Sequence, residues 1–312
     1  MNRREFVEGS VALGLLGTFS SISYPAAALS GSSPQKAKEA GSAAVSNPLT
    51  PPAHGQIPVA FVVSRGTVMI DLAGPWEVFN SVMIMSRGSS MDDQMPFQTY
   101  TVAESTQPVT LGAIKIIPDY TFANAPTPKI VVIPAQAGQT EAMLNWIRKA
   151  TKTTDVTMSV CTGAFVLAST GLLAGKPATT HHNSYKSLAI QFPDISVQRG
   201  ARFVEFDNMA TAGGLTSGID LALHVVERYF GRKVAEDTAY LLEYQGTGWT
   251  DPASNATYLK AAASTSEHPL CPVCGMEVDP KTAPNSKYKG RIYYFCSEDH
   301  KKQFDATPEK WL

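Results

Sequence analysis

The sequence predicts a layered α/β sandwich with a mostly parallel sheet, followed by a small C-terminal α+β module built on a metal knuckle. Three observations carry this. From residue 57 short apolar runs alternate with helix-length stretches; residues 246–268 then turn polar and small; and Cys271 and Cys274 open a new segment as a Cys-x-x-Cys pair. At 312 residues with 44% hydrophobic content, the chain is long enough for one large core and a smaller second unit. Its 26 Lys+Arg against 27 Asp+Glu leave a net charge of -1, so composition offers no general pull toward nucleic acid or an anionic membrane.

The first residues carry an address. Arg3-Arg4 precede Phe6 and a weakly apolar run from Val7 to Tyr24, the pattern of a twin-arginine export signal. Glu8 and the Gly and Ser residues make that run too polar for a lasting membrane anchor. Cleavage after Ala26-Ala27-Ala28 assigns residues 1–28 to the signal and predicts a periplasmic or otherwise extracytoplasmic protein. Residues 29–56, rich in Ser, Ala, Pro and Gly, read as a disordered tether because they cannot offset the entropy of ordering.

The main unit is placed at 57–245. Val59–Val63, bounded by Pro58 and Gly66, suits a buried strand, and similar runs follow at Phe97–Val102, Ile114–Ile117, Ile130–Ile133 and Val156–Val160. Helices are expected at Leu72–Met85, Thr140–Lys149 and Thr162–Leu173, then a strand pair at Ala201–Phe206 and Met209–Ala212, and helices at Thr216–Tyr229 and Val234–Tyr244. In such sheets ligands sit beyond the carboxyl ends of the strands, so the chemistry is sought there.

The sharpest junction is Val156-Thr-Met-Ser-Val-Cys161-Thr162-Gly163-Ala164-Phe165, where a strand delivers a cysteine directly into a helix. A tight strand-to-helix turn exposes the sulfur, and a helix N-terminus favours its thiolate. Periodicity alone leaves an inert core cysteine equally open. Asp71 stands where the first strand's loop becomes a helix, either as an N-cap or as a carboxylate that passes a proton.

The run from Ser159 through His181, with Ile70-Asp71-Leu72-Ala73-Gly74-Pro75-Trp76-Glu77-Val78-Phe79 and Thr211–Leu223, resembles the PfpI/ThiJ superfamily, in particular its isonitrile hydratase branch and the sensor-like domains of AraC-type regulators. The resemblance implies a flavodoxin-like three-layer sandwich, often dimeric, with Cys161 as nucleophile, Asp71 as its acidic partner and the Thr162 hydroxyl in catalysis. No cofactor is implied for this unit. PfpI-type peptidases carry histidine directly after the cysteine, and Thr162 stands there instead, which argues against proteolysis. The loop Ala135-Gln136-Ala137-Gly138 departs from the family's usual glycine pair, although backbone N–H groups of Ala135, Gln136 and Thr162 are candidates for an oxyanion hole. His181 and His182 are read either as pocket residues or as structural imidazoles.

After the second linker, 246–268, the module at 269–312 carries Cys271-Pro-Val-Cys274 and Cys296-Ser-Glu-Asp-His300. Three thiolates and an imidazole suit tetrahedral zinc, with copper(I) as the alternative soft ion. A Cys271–Cys274 disulfide is the competing reading in an oxidising compartment. With Tyr293-Tyr294-Phe295-Cys296-Ser297 and Phe304-Asp-Ala-Thr-Pro308-Glu309, the segment resembles the YHS family.

Together these features predict an exported lyase of the isonitrile hydratase type acting on a small electrophile, without nucleic-acid partner or stable membrane insertion. The alternative is a non-catalytic, metal- or redox-responsive binding protein. A transcription regulator is disfavoured, because no helix-turn-helix follows the α/β unit and export would remove it from DNA.

Overall fold

The computed structural model describes residues 47–259 and 264–312. The twin-arginine motif, the cleavage site and most of the tether lie outside the described residues. β1 (Ile57–Val62) leads through α1 (Met69–Ser81) and the short α2 (Met91–Gln94) to β2 (Phe97–Ala103). A hairpin of β3 (Val109–Leu111) and β4 (Ile114–Ile116) precedes β5 (Tyr120–Thr121), β6 (Ile130–Ile133), α3 (Glu141–Ala150), β7 (Val156–Ser159) and α4 (Gly163–Ser169). Then come β8 (Pro177–Ala178), α5 (Tyr185–Gln191), β9 (Ser196–Val197), β10 (Phe203–Phe206), β11 (Met209–Ala212), α6 (Ser217–Phe230) and α7 (Arg232–Leu241). The C-terminal module consists of β12 (Asn285–Tyr288), β13 (Arg291–Tyr294), α8 (Glu298–Ala306) and α9 (Pro308–Trp311).

Seven strands form one sheet in the order β10-β11-β7-β6-β1-β2-β5, parallel except for the β10–β11 hairpin at one edge. The period of two along a strand sends alternate residues to opposite faces. Val59 and Phe61 join Phe79, Leu221 and Val225 on one face, while Ala60 and Val62 join Met143, Ile147 and Leu167 on the other. Both faces are therefore apolar and covered, which is why the strands read as continuous apolar runs. α3 shows how local sequence serves this layering. The Thr140 hydroxyl accepts the Met143 N–H, Met143, Leu144, Ile147 and Ala150 fall on the buried side, and Arg148 and Lys149 sit at the negative end of the helix dipole.

The structure corrects several expected boundaries. Ile114–Ile116 pairs with Val109–Leu111 in a separate hairpin, with Ile114 and Ile117 exposed, and the edge of the main sheet is instead filled by β5. α1 begins at Met69 and ends at Ser81, so Asp71 lies inside the first turn and is not the N-cap. α4 stops at Ser169, where Thr170 and Gly171 close the helix in place of a run to Leu173.

Both segments read as tether or linker make specific contacts. Leu49 N donates to Arg228 O at 2.8 Å, and Arg228 Nε donates to Asn47 O at 2.8 Å. In the second, Trp249 is buried beneath the Arg232 guanidinium, and Arg202 donates to Asn255 Oδ1 at 3.1 Å. Composition hides this because few anchoring side chains stand among many small ones. No described helix is long and apolar enough to cross a membrane.

Candidate active site and metal centre

β7 ends at Ser159, and two residues later Cys161 adopts φ +58°, a left-handed conformation that is strained for a residue with a Cβ. The turn is held from both sides. Cys161 N donates to Gly213 O at 2.9 Å, and Thr180 Oγ1 donates to Cys161 O at 2.9 Å. Gly163 is required by contact, because a Cβ there would lie 2.1 Å from the Ile133 carbonyl oxygen. The end of β6 and the start of α4 thus meet too closely for any other residue, and Cys161 is fixed at the carboxyl end of a central strand.

Cys161 is only 7% exposed, so the turn buries the sulfur and the expected exposed thiolate is not what the site holds. Burial pushes its thiol up to about 12, and the neighbouring Asp71 carboxylate adds to the rise. Hydrogen bonds from the Thr162 and Leu215 backbone and from the Thr162 hydroxyl oppose it. Asp71 is fully buried, and burial pushes its carboxyl up to about 7 against the hydrogen bonds that favour ionisation. One of those comes from Ala135 N, which donates to Asp71 Oδ2 at 3.1 Å, and the other from Cys161. The site therefore holds a thiol beside a carboxyl that titrates near neutrality, an arrangement suited to proton transfer.

The structure brings Asp71, Cys161 and Thr162 together. The expected set of backbone donors is revised. Ala135 N–H is occupied by Asp71, while the Gln136 side-chain Nε2 donates to Val62 O at 3.2 Å. At the sulfur itself Leu215 supplies a backbone donor that the sequence did not suggest, from a residue at φ +49° in the Gly213–Thr216 loop. A polar network anchored on the buried Asp220 holds that loop. Arg202 Nε donates to Asp220 Oδ2 at 2.6 Å, Arg202 Nη2 to Thr216 Oγ1 at 3.0 Å, and Gly213 N to Arg202 O at 2.9 Å. An ordinary leucine gives no sign in sequence that its backbone N–H is aimed at a cysteine.

His181 lies on the other side of this loop. Its ring packs so closely that a Cβ on Gly214 would be 2.4 Å from His181 Cδ2. Asn183 N donates to His181 Nδ1 at 3.3 Å, and burial followed by the neighbouring His182 pushes the imidazole down to about 4. It is therefore neutral near pH 7, with its proton on Nε2. His182 stacks between His181 and Tyr258, with ring centroids at 4.2 and 4.9 Å.

The second constellation is the knuckle. Gly275, at φ +73°, allows its N–H to reach Cys271 O at 2.7 Å and closes the Cys271–Cys274 turn. Ser297 caps α8 by accepting the His300 N–H at 3.2 Å, which sets His300 one turn from Cys296. The ligand atoms of Cys271, Cys274, Cys296 and His300 all lie within 4.8 Å of one another. Cys274 and Cys296 sulfurs are 3.4 Å apart, and Cys296 Sγ is 3.0 Å from His300 Nδ1. Tetrahedral coordination at about 2.3 Å to sulfur and about 2.0 Å to nitrogen needs donor separations of roughly 3.5–3.8 Å, so the set fits one metal ion after small adjustments. All four cysteines are free in this structure, with no bond between Cys271 and Cys274.

Residues 58–228, over half of the 312-residue chain, match the DJ-1/PfpI family. The chain belongs to the DJ-1/PfpI family. Isonitrile hydratase from Pseudomonas putida is 32% identical over 192 residues, which cover 60% of this chain and 78% of that protein. A ThiJ/PfpI family protein from Pseudomonas syringae superposes with a TM-score of 0.53 at 28% identity, covering 68% of this chain and 83% of that one. Residues 271–312 match the YHS domain. Over 42 residues the chain is 50% identical to a copper-transporting P-type ATPase of Rhizobium leguminosarum bv. viciae, a match that spans 13% of this chain and 5% of the ATPase. The DJ-1/PfpI unit is thus joined to a C-terminal YHS domain whose Cys₃His set is able to hold a metal.

Proposed function

We propose that the DJ-1/PfpI unit is an isonitrile hydratase-like lyase with Cys161 as nucleophile. The pairing of a buried Cys161 thiol with an Asp71 carboxyl that titrates near 7 carries this reading. The terminal carbon of an isonitrile takes up a proton and then a sulfur nucleophile, so a site holding both groups in their protonated forms has what the addition consumes. Asp71 delivers a proton to that carbon, the Cys161 S–H bond breaks as its sulfur bonds to the same carbon, and the thiol proton restores Asp71. The product is an S-linked thioimidate, Cys161–S–CH=N–R. Water then adds to the thioimidate carbon and the carbon–sulfur bond breaks. The thiol is regenerated and an N-substituted formamide leaves, one water having been consumed for each isonitrile.

Thr162 and Leu215 supply the N–H groups that stabilise the sulfur as it loses its proton, and the Thr162 hydroxyl adds a third donor. The 32% identity to isonitrile hydratase supports the same substrate class.

We place the protein outside the cytoplasm on the strength of the Arg3-Arg4 motif. The metal held by the YHS domain is assigned as zinc from its three thiolates and one imidazole. The deciding experiment is formamide release from a panel of small isonitriles by the mature, metal-loaded protein, alongside Cys161→Ala and Asp71→Ala. Turnover is expected from the wild type and a loss of at least a hundredfold in both variants. A wild-type protein that releases no formamide from any isonitrile overturns the proposal.

A further inference from the structure

The YHS domain does not hang free of the DJ-1/PfpI unit; it is seated on α5 and the turn that precedes it. Ser187 Oγ donates to Val273 O, and Ser184 Oγ donates to Cys274 O at 3.3 Å. Both carbonyls belong to the metal knuckle. Lys186 Nζ donates to the Trp311 and Leu312 carbonyls at 3.0 and 3.1 Å, and Ile190 packs into the module's core of Cys271, Val273, Phe295, Phe304 and Trp311. Residues 184, 187 and 190 repeat at intervals of three, so they share one side of the helix. Gly275 lies so close to Asn183 that an added Cβ would be 2.0 Å from the Asn183 carbonyl oxygen.

From that contact an unbroken series of neighbours leads to the nucleophile. Asn183 O abuts Gly275, the residue that follows the metal ligand Cys274. Asn183 N is bonded to His181 Nδ1, the His181 ring fills the space over Gly214, and the next residue, Leu215, directs its N–H to the Cys161 sulfur. His181 bonds to Asn183 on one side and packs on Gly214 on the other. It is the piece between them.

We propose that His181 is a positioning residue through which the metal knuckle supports the Cys161 site, so that metal binding by the YHS domain and the conformation of the Gly213–Thr216 loop are coupled. With the four ligands gathered on one ion, the Cys274–Gly275 backbone is fixed, Asn183 is held in place, and His181 is pressed against Gly214. With the ligands released, the knuckle loosens and the His181–Gly214 contact loses its backing. Coupling of this kind is reciprocal: a change at the loop alters metal affinity by the same factor that metal alters the loop. Cys161 needs no particular substrate for this, and the proposal stands or falls separately from the hydratase reading.

Hydrogen exchange and zinc affinity, both measured on the full chain, test it without an activity assay. Zinc is expected to slow amide exchange in the wild-type protein within 271–312, along 183–191 and also at 213–216. Gly214→Ala, which intrudes on His181 from the far side, is expected to weaken zinc binding at least fivefold in competition with a chromophoric chelator. Ser184→Ala/Ser187→Ala, which removes the knuckle's anchors while leaving the pocket residues untouched, is expected to abolish the zinc-dependent protection at 213–216. Protection that stops at residue 191 in the wild type overturns the proposal, and so does retention of the 213–216 protection in the double variant. These two outcomes do not depend on whether Gly214→Ala folds.

Discussion

Asp71 is stabilised in the folded protein in its neutral form. Its carboxyl is raised from 3.8 to about 7, chiefly by burial. A raised folded-state pKa contributes stability that is fully present below the unfolded value and is lost as pH rises through the folded one. The protein is therefore expected to lose stability at this position between about pH 4 and pH 7, by on the order of 4 kcal/mol at most. Asp71→Asn keeps an oxygen for the Ala135 N–H but carries no charge. Its melting temperature relative to wild type is expected to rise between pH 5 and pH 8.5, while formamide release is lost. A melting difference that stays flat or falls over that range would show that burial of the carboxylate carries no such penalty. Asp71 was legible in the sequence by its place after the first strand. Its environment was not, since the Ala135 N–H that meets it comes from a loop 64 residues away.

At the scale of elements, the strand-to-helix turn at Cys161 was the most legible feature, because the succession Val160-Cys161-Thr162-Gly163-Ala164 leaves few conformations open. The turn depends on Gly163. Alanine there would press on the Ile133 carbonyl oxygen at 2.1 Å, and backbone cannot give way as a flexible side chain can. Gly163→Ala is expected to cost at least about 2 kcal/mol. Gly112→Ala is the comparison: it lies at φ +59° with nothing within 4 Å of an added Cβ, so only backbone strain opposes it, about 1 kcal/mol. Denaturant midpoints of the two variants check the order, and a Gly112 variant as destabilised as the Gly163 variant would contradict the contact argument. The β3–β4 hairpin was less legible. Ile114 and Ile117 look like members of a buried strand, yet they are exposed, because an apolar run does not say which partner it will find.

Across the whole molecule the two units draw their stability from different sources. The DJ-1/PfpI unit buries both faces of a seven-stranded sheet, whereas the module buries only Cys271, Val273, Phe295, Phe304 and Trp311 among its core side chains. So few buried groups do not offset the ordering of about forty residues, and a metal bound by Cys271, Cys274, Cys296 and His300 would supply the missing free energy. That both units exist was plain from composition; that they dock was hidden, because Ser184, Ser187 and Ile190 are common on any solvated helix and identify a partner only once the knuckle is placed against them. Removing the metal is therefore expected to act unevenly. A strong chelator at neutral pH should release hydrogen-exchange protection throughout 285–306, where β12, β13 and α8 lie, while the amides of β1, β6 and β7 keep theirs. Ile190, uncovered by the loosened module, should then add an apolar dye-binding site that metal restores. Simultaneous loss of protection in β6 and β13 would mean that the sheet and the knuckle unfold as one unit, and that the metal's free energy is shared by the whole chain.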